Sequence, residues 1–249
     1  MNIKTQGVII KRMNYGEADR ILTILTSDHG KIKAIAKGSR KILSKMGGSL
    51  EPFCLVNFIF HQGKSFYIVT SATVENYFEK IHTDINKTAK AFYIGELIDK
   101  FLEEEESHPK VFELFAKYLQ ALDDDNDEIL IPVFSAKILE NLGFKPVTGE
   151  CLHCRKKLIP EQNFWDDVEG GVICQACHDK FSHGKKIDND IIKILRLIFS
   201  EKFSVGSKLN IEESYKKDTA RILENYVEGV IERELKSKNF LRQVGGVNS

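Results

Sequence analysis

The sequence predicts an α+β protein, in which an N-terminal five-stranded β-barrel of the OB type is followed by an α-helical domain with a zinc-ribbon-like insertion. Three observations predict this class. Short strand-like segments separated by turn signals fill the first eighty residues, helical periodicity follows, and two Cys-x-x-Cys pairs interrupt the helical part. The predicted boundaries are residues 1–80 for the barrel, 81–243 for the helical domain with its zinc module at about 149–180, and 244–249 for a disordered tail.

The barrel prediction depends on alternating apolar and polar residues between turn signals such as Asn14-Tyr15-Gly16. The strands are predicted at residues 5–13, 20–26, 31–37, 53–60 and 65–73. A long connection, residues 38–50, separates the third strand from the fourth. Five short strands with one long connection fit a Greek-key OB barrel, and an SH3-like barrel is the nearest alternative.

The helical domain is predicted from apolar residues that recur every three or four positions after Lys87. A helix over residues 129–142 is expected to end at Gly143, with Pro146 beyond it. Asp188 is the expected N-cap of a helix over residues 191–199. A last helix is predicted at about residues 216–236.

Composition excludes several classes of protein. The 249 residues are 42% hydrophobic and 29% charged, which is typical of a globular protein and not of a disordered or collagen-like chain. Charge is unevenly distributed: residues 1–50 contain ten basic and three acidic residues, a net charge of +7, which leaves a net charge of −7 for the rest. Neither a signal sequence nor a membrane-spanning apolar stretch is recognised, so a cytoplasmic protein without membrane contact is expected.

The cysteine spacing predicts a metal site. Cys151 and Cys154 form one Cys-x-x-Cys pair, Cys174 and Cys177 form another, and nineteen residues separate the inner cysteines. This spacing is typical of a four-thiolate zinc site. Four thiolates fill the tetrahedral shell of zinc and leave no position for water, so one structural zinc ion per chain is expected.

Other interpretations of these residues stay open. A redox dithiol and four unmetallated cysteines are the alternatives to zinc. His153 and His178 are adjacent to ligands, but they are surplus to a complete thiolate set and are expected at the surface. Cys54 lies in a predicted strand and is expected to be a small buried hydrophobic residue.

The basic N-terminal region predicts a polyanionic ligand. Residues 29–50 contain six basic residues and no Asp or Glu. Side chains alternate along a strand, so the lysines at positions 31, 33 and 37 are expected on one face, with the following loop extending the patch. The candidate contacts to a phosphate backbone are Lys31, Lys33, Lys37, Arg40, Lys41 and Lys45, with Arg12 and Arg20 on the neighbouring strands. A solvated strand and loop without a ligand is the alternative.

Binding is expected to be directed at the nucleic-acid backbone, with little sequence preference, because the second and third strands contain no aromatic residue for base stacking. No enzyme is predicted. The sequence contains neither GxxxxGK[ST] nor HExxH, and it lacks the paired HxE and PCxxC motifs of zinc deaminases.

Several of these motifs resemble the bacterial RecO recombination mediators of DNA repair. The N-terminal similarity runs from Tyr15-Gly16-Glu17-Ala18-Asp19-Arg20-Ile21 through Ala36-Lys37-Gly38-Ser39-Arg40 to Gly47-Gly48-Ser49-Leu50-Glu51-Pro52-Phe53. Leu142-Gly143-Phe144-Lys145-Pro146, before Cys151, is similar to the junction that precedes the zinc module of that family. Arg155 is a departure, since a glycine often follows such a knuckle.

The resemblance implies a DNA-binding protein without a catalytic centre. Members of this family bind single- and double-stranded DNA and anneal complementary strands. They act with RecR to displace single-strand-binding protein, whose C-terminal tail they engage, so that RecA loads; such a protein is expected in the cytoplasm, at the nucleoid. The alternatives are a zinc-ribbon module that docks onto a larger complex and an RNA-binding OB protein.

Overall fold

The computed structural model describes residues 2–41, 46–63, 66–125 and 127–245. The chain forms two compact units. The first unit contains residues 1–126 and 235–249, and the second contains residues 127–234. The first unit therefore extends beyond the predicted barrel boundary at residue 80, because the helices that follow the barrel pack within the same unit.

The first unit begins with a closed five-stranded barrel. Its strands are β1 (Asn2–Tyr15), β2 (Asp19–Thr26), β3 (Lys31–Ala36), β4 (Leu55–Gln62) and β5 (Tyr67–Asn76). Around the barrel the order is β1-β2-β3-β5-β4, with β3 and β5 parallel and the other pairs antiparallel. A short 3-10 helix, Gly47–Leu50, lies in the connection between β3 and β4. This topology confirms the predicted OB-type barrel.

The barrel core follows from the alternation of side chains along each strand. Leu22 and Ile24 on β2 and Ala34 on β3 point inward and are fully buried, as are Phe58 and Phe60 on β4. An irregularity between Ile9 and Lys11 shifts the pairing of β1 with β2. Cys54 belongs to this core and has no exposed surface, which confirms its predicted burial.

Four helices complete the described part of the first unit. They are α1 (Glu79–Thr83), α2 (Ile85–Phe101), α3 (Pro109–Asp124) and α9 (Ser237–Val244), the last of which packs on α2. Asp84 caps α2 by accepting from the N–H groups of Asn86 and Lys87. Lys87 lies in the first turn of α2. Its buried ammonium donates to the carbonyl oxygens of Leu122 and Asp123, at the C-terminal end of α3, at 2.6 and 2.8 Å.

This buried lysine gives a testable prediction about stability. Lys87→Met keeps most of the aliphatic stem but leaves the carbonyl groups at the C-terminal end of α3 without their cationic donor. We expect the free energy of unfolding to fall by about 1–3 kcal/mol, because buried acceptors lose charge-assisted hydrogen bonds. Chemical denaturation of Lys87→Met and of the exposed control Lys110→Met measures the difference; equal stability of the two variants would contradict the prediction.

The second unit combines helices with a small three-stranded sheet. Its helices are α4 (Leu130–Asn141), α5 (Gln175–Phe181), α6 (Asn189–Ser200), α7 (Phe203–Gly206) and α8 (Glu213–Ile231). Its strands are β6 (Asn163–Asp166), β7 (Gly171–Cys174) and β8 (Lys185–Ile187), in the order β7-β6-β8. The Asp188 carboxylate accepts from the Asp190 N–H, which confirms the predicted cap of α6.

The C-terminal prediction was wrong in two respects. The last long helix ends at Ile231 and not near residue 236, because Glu232 adopts a left-handed φ of 52° that stops the helix. The chain then forms α9, so Val244, the first residue of the predicted disordered tail, is helical. Residues 246–249 lie outside the described part. Among the described helices, none combines the length and apolar character that crossing a membrane requires.

Candidate metal centre and nucleic-acid interface

The four cysteines predicted as ligands meet in the second unit, with all four sulfurs within 4.8 Å of one another. The Sγ atoms of Cys154 and Cys174 are 3.8 Å apart. A regular tetrahedron of sulfurs about 2.3 Å from a central zinc ion has edges of about 3.8 Å, so the observed spacing fits this geometry. The cluster can therefore hold a metal ion.

Backbone hydrogen bonds bring the two cysteine pairs together. Cys174 ends β7 and Cys177 lies in the first turn of α5, while the Leu152 N–H donates to the Val172 carbonyl at 2.8 Å. Strands β6 and β7 pair as an antiparallel hairpin, and Gly170 lies in its turn. Gly170 has a φ of 70°, and an added Cβ would lie 2.3 Å from the Tyr226 ring, so this turn requires glycine.

The ionisation of the thiols also fits a bound cation. Burial tends to raise the pKa of Cys151, but hydrogen bonds from the N–H groups of Cys174, Cys154 and His153 lower it to about 6. Burial and the neighbouring sulfurs raise the pKa of Cys177 to about 12. A bound cation would favour the thiolate form of Cys177 and so offset this increase.

Arg155, where the sequence departs from the family pattern, has a left-handed φ of 59°. Its N–H donates to the Cys151 carbonyl at 3.0 Å and closes the first knuckle. The turn therefore keeps a geometry that suits glycine, and the arginine adopts it at a conformational cost of about 1–2 kcal/mol. The departure in sequence leaves the position of Cys154 intact.

The histidines near the cysteines, His153 and His178, are partly exposed. The ring of His178 stacks on Phe164 with centroids 3.5 Å apart. Nε2 of His153 lies 2.9 Å from Nε2 of His183, which is itself 3.1 Å from a carboxylate oxygen of the buried Asp166. Sequence spacing did not single out His183 or Asp166, because neither belongs to a recognisable motif.

Lys31 does not lie on the open basic face, and this part of the prediction was wrong. Its side chain is buried, and its ammonium lies 3.1 Å from the Asp99 carboxylate of α2. The face of β3 from which Lys31 projects was predicted correctly, but α2 covers this position. Lys31 is therefore neutralised within the first unit and is not available to a phosphate.

Lys33 is exposed but is also neutralised. It forms an ion pair with Glu104 in the acidic segment, which we define as residues 103–106. This segment runs beside β3, since the Glu105 N–H donates to the Lys31 carbonyl at 2.9 Å. The sequence alone does not reveal this pairing, because the partner strand is distant in the chain.

The open basic surface lies at one end of the barrel, around residues 37–41. Lys37, Arg40 and Lys41 are exposed there, and Arg40 fixes the neighbouring β1–β2 turn. The Arg40 N–H donates to the Ala18 carbonyl at 2.9 Å, and its guanidinium donates to the Gly16 carbonyl at 3.2 Å. Lys45, the last predicted contact, lies outside the described residues.

Arg12 and Arg20 line the same end of the barrel. Arg12 forms an ion pair with Glu51 at 2.5 Å. Burial, followed by repulsion from Arg12 and then Arg40, lowers the pKa of Arg20, against the opposing effect of Glu51. Nε of Arg20 is buried without a hydrogen-bond partner among the described residues. Arg20 is thus repelled by two neighbouring guanidinium groups, and an added anion would relieve this repulsion.

We define the basic barrel end as Arg12, Arg20, Lys37, Arg40 and Lys41. Its charges are held by strand register and turn hydrogen bonds, so they are positioned before a ligand arrives. Such a surface is suited to the backbone of a nucleic acid, since adjacent phosphates offer a series of negative charges.

Comparison with known proteins shows that the four-cysteine cluster and the basic barrel end lie in regions that match one protein family. The family model described as Recombination protein O N terminal matches residues 1–78, and the one described as Recombination protein O C terminal matches residues 82–239. The chain is 32% identical over 248 residues to a DNA repair protein RecO of Dehalococcoides mccartyi, covering 99% of this chain and 98% of that protein.

Other relatives extend the match beyond one organism. The chain is 29% identical to DNA repair protein RecO of Caldanaerobacter subterraneus, with 96% of each chain covered. It is also 29% identical to the RecO protein of Bacillus pumilus, with 98% of this chain and 95% of that protein covered. With a matching barrel, a matching helical region and full-length similarity, the chain belongs to the RecO family of DNA repair proteins.

Proposed function

We propose that this chain is a DNA-binding recombination mediator that anneals complementary single strands and helps to load the recombinase RecA onto coated DNA. The observation that carries the proposal is the basic barrel end, whose exposed cations Lys37, Arg40 and Lys41 are not engaged by described carboxylates. A cluster that neutralises phosphates on two strands lowers the repulsion between them. Annealing then proceeds without a nucleotide-driven step.

In this proposal residues 1–80 bind single- and double-stranded DNA and residues 81–243 form the helical domain. The metal is one structural zinc ion, held by Cys151, Cys154, Cys174 and Cys177. Four thiolates suit zinc and leave no coordination position for a reacting water, so the ion contributes to folding and not to chemistry. The protein acts in the cytoplasm, at the nucleoid, where its DNA substrate lies.

The proposed protein is not an enzyme. The one cysteine of the sequence outside the four-cysteine cluster is Cys54, whose sulfur lies 3.5 Å from Nε2 of His82. Burial, with a smaller contribution from Glu51, raises the pKa of Cys54 to about 12. Burial also lowers the pKa of His82. The pair is therefore neutral at physiological pH and unsuited to nucleophilic attack.

The proposed protein partners are RecR and single-strand-binding protein, with RecA reached indirectly. The C-terminal tail of single-strand-binding protein is acidic and ends in apolar residues, so its binding site should combine an apolar wall with cations. A cavity of about 430 Å³ in the first unit offers both: Phe92 is 40% exposed, and Lys11, Lys100 and Lys236 line the same cavity. Its carboxylates are already engaged, because Glu96 accepts from the Lys236 and Ser237 N–H groups and Asp99 pairs with Lys31.

The mediator function predicts a dependence on the tail only when DNA is coated. Wild-type protein is expected to accelerate annealing of bare and coated strands, whereas tailless single-strand-binding protein should suppress annealing of coated strands alone. Lys100→Glu should have the same selective effect, because a negative charge replaces a cation in the cavity proposed to bind this tail. Fluorescence quenching of labelled complementary oligonucleotides measures both rates, and the exposed second-unit variant Lys208→Glu is the control.

Three results would contradict this function. Equal annealing of coated strands with and without the tail would remove the proposed engagement of single-strand-binding protein. Failure to accelerate annealing of either substrate would favour the zinc-ribbon docking module. Preferential binding of RNA over DNA of equal length would instead favour the RNA-binding OB protein.

A further inference from the structure

An exposed aromatic side chain lies beside the β1–β2 turn, and phosphate binding by the basic barrel end does not require it. Tyr15, the last residue of β1, is 53% exposed. It makes no hydrogen bond or ring contact with the residues that the structure describes. About half of this residue is therefore open to solvent, and an exposed aromatic ring in a basic region can stack on a nucleic-acid base.

The register of the hairpin determines which way this ring faces. Tyr15 pairs with Asp19 and Met13 pairs with Ile21 across β1 and β2. Residues two apart on a strand share a face, so Tyr15 and Met13 project on the same side. Met13 is 48% exposed, and the two side chains together form a small apolar surface at the tip of the barrel.

A loop with three exposed cations contacts the turn beside this apolar surface. The Arg40 guanidinium donates to the carbonyl of Gly16, the residue next to Tyr15, at 3.2 Å. Lys37 and Lys41 are exposed on the same short loop. Two carboxylates lie in the turn: Asp19 accepts from the Gly38 N–H at 2.7 Å, and Glu17 is exposed. Three exposed cations thus outweigh one exposed carboxylate that is not engaged.

We propose that Tyr15 is a base-stacking residue that gives this surface a preference for single-stranded DNA over duplex. The arginine and lysines of the loop hold the phosphates, and the adjacent ring packs against an unpaired base. A duplex offers the same phosphates but keeps its bases stacked on one another, so it gains nothing from the ring. This inference deepens the proposed DNA-binding function and rests on it.

The test separates phosphate contacts from base contacts. One oligonucleotide is twenty thymidines, and the other has the same length with an abasic sugar at every position. Wild-type full-length protein should bind the thymidine strand about five- to 150-fold more tightly, the range that stacking of one base on an aromatic side chain provides. Tyr15→Ala should bind both strands with the affinity that wild type shows for the abasic one. Duplex binding should be unchanged.

Two further variants at position 15 and one control test whether the aromatic ring is responsible. Tyr15→Phe keeps the ring and should keep the preference for thymidine, whereas Tyr15→Leu keeps an apolar side chain without the ring and should lose it. Phe144→Ala removes an aromatic ring of similar exposure in the second unit and should leave both affinities as in wild type. Fluorescence anisotropy at one fixed salt concentration measures every combination.

The inference is overturned if wild type does not prefer thymidine over abasic strands, or if Tyr15→Ala keeps that preference. Loss of the preference in Tyr15→Phe also overturns it, because the hydroxyl and not the ring would then be responsible. Absence of binding to either oligonucleotide and to duplex overturns the proposed DNA-binding function, and this inference with it.

Discussion

Cys174→Ser is expected to reduce bound zinc from one ion per chain to a small fraction of that and to destabilise the second unit. Serine is a poor zinc ligand at neutral pH, and the remaining three cysteines lie on two segments that the proposed ion would link. Zinc binding to small modules has an apparent free energy of about 10–16 kcal/mol, part of which is folding free energy. The loss should lower the melting temperature of this unit.

Metal analysis of protein purified without chelator measures the first effect, and thermal unfolding measures the second. Cys54→Ala is the matched control, since it removes a thiol from the barrel and should keep one zinc ion per chain. DNA binding by Cys174→Ser should persist, because the basic barrel end lies in the first unit. Much less than one zinc ion in wild-type protein, or an unchanged content in Cys174→Ser, would contradict the proposed site.

The Lys37→Ala, Arg40→Ala double variant is expected to weaken DNA binding by about ten- to hundredfold, because two charge-assisted contacts to phosphates are lost. Each lost contact to a single strand should also flatten the slope of log affinity against log salt by about 0.7, so the double variant should change it by about 1.4. The weakening should be similar for all DNA sequences, since phosphates contain no base information.

Titration of DNA at several salt concentrations gives both quantities. Lys37→Ala alone separates the charge effect from a structural effect, because only Arg40 also holds the β1–β2 turn. Lys208→Ala with Lys217→Ala removes two exposed charges from the second unit and is the control. An unchanged slope in the barrel variant would place the DNA site elsewhere.

Local patterns were sufficient to predict the fold class and the cluster of four cysteines. Alternating residues predicted the five strands, because burial on one face of a strand requires a period of two. The two Cys-x-x-Cys pairs predicted the cluster, since each pair needs only one turn to direct two sulfurs to a common centre. Asp188 predicted the start of α6, because capping is a contact between near neighbours in sequence.

The availability of each charged residue depended on contacts between distant parts of the chain. Lys31, Lys33 and Lys37 look equivalent in the sequence, yet Lys31 pairs with Asp99 and Lys33 pairs with Glu104, whereas Lys37 is exposed. The exposure of Tyr15 and the approach of Arg40 to its turn were likewise absent from any local pattern. Composition and periodicity determined which charges and rings the protein has. Only the tertiary structure decided which are free, because neutralisation and burial depend on distance in space and not on separation along the chain.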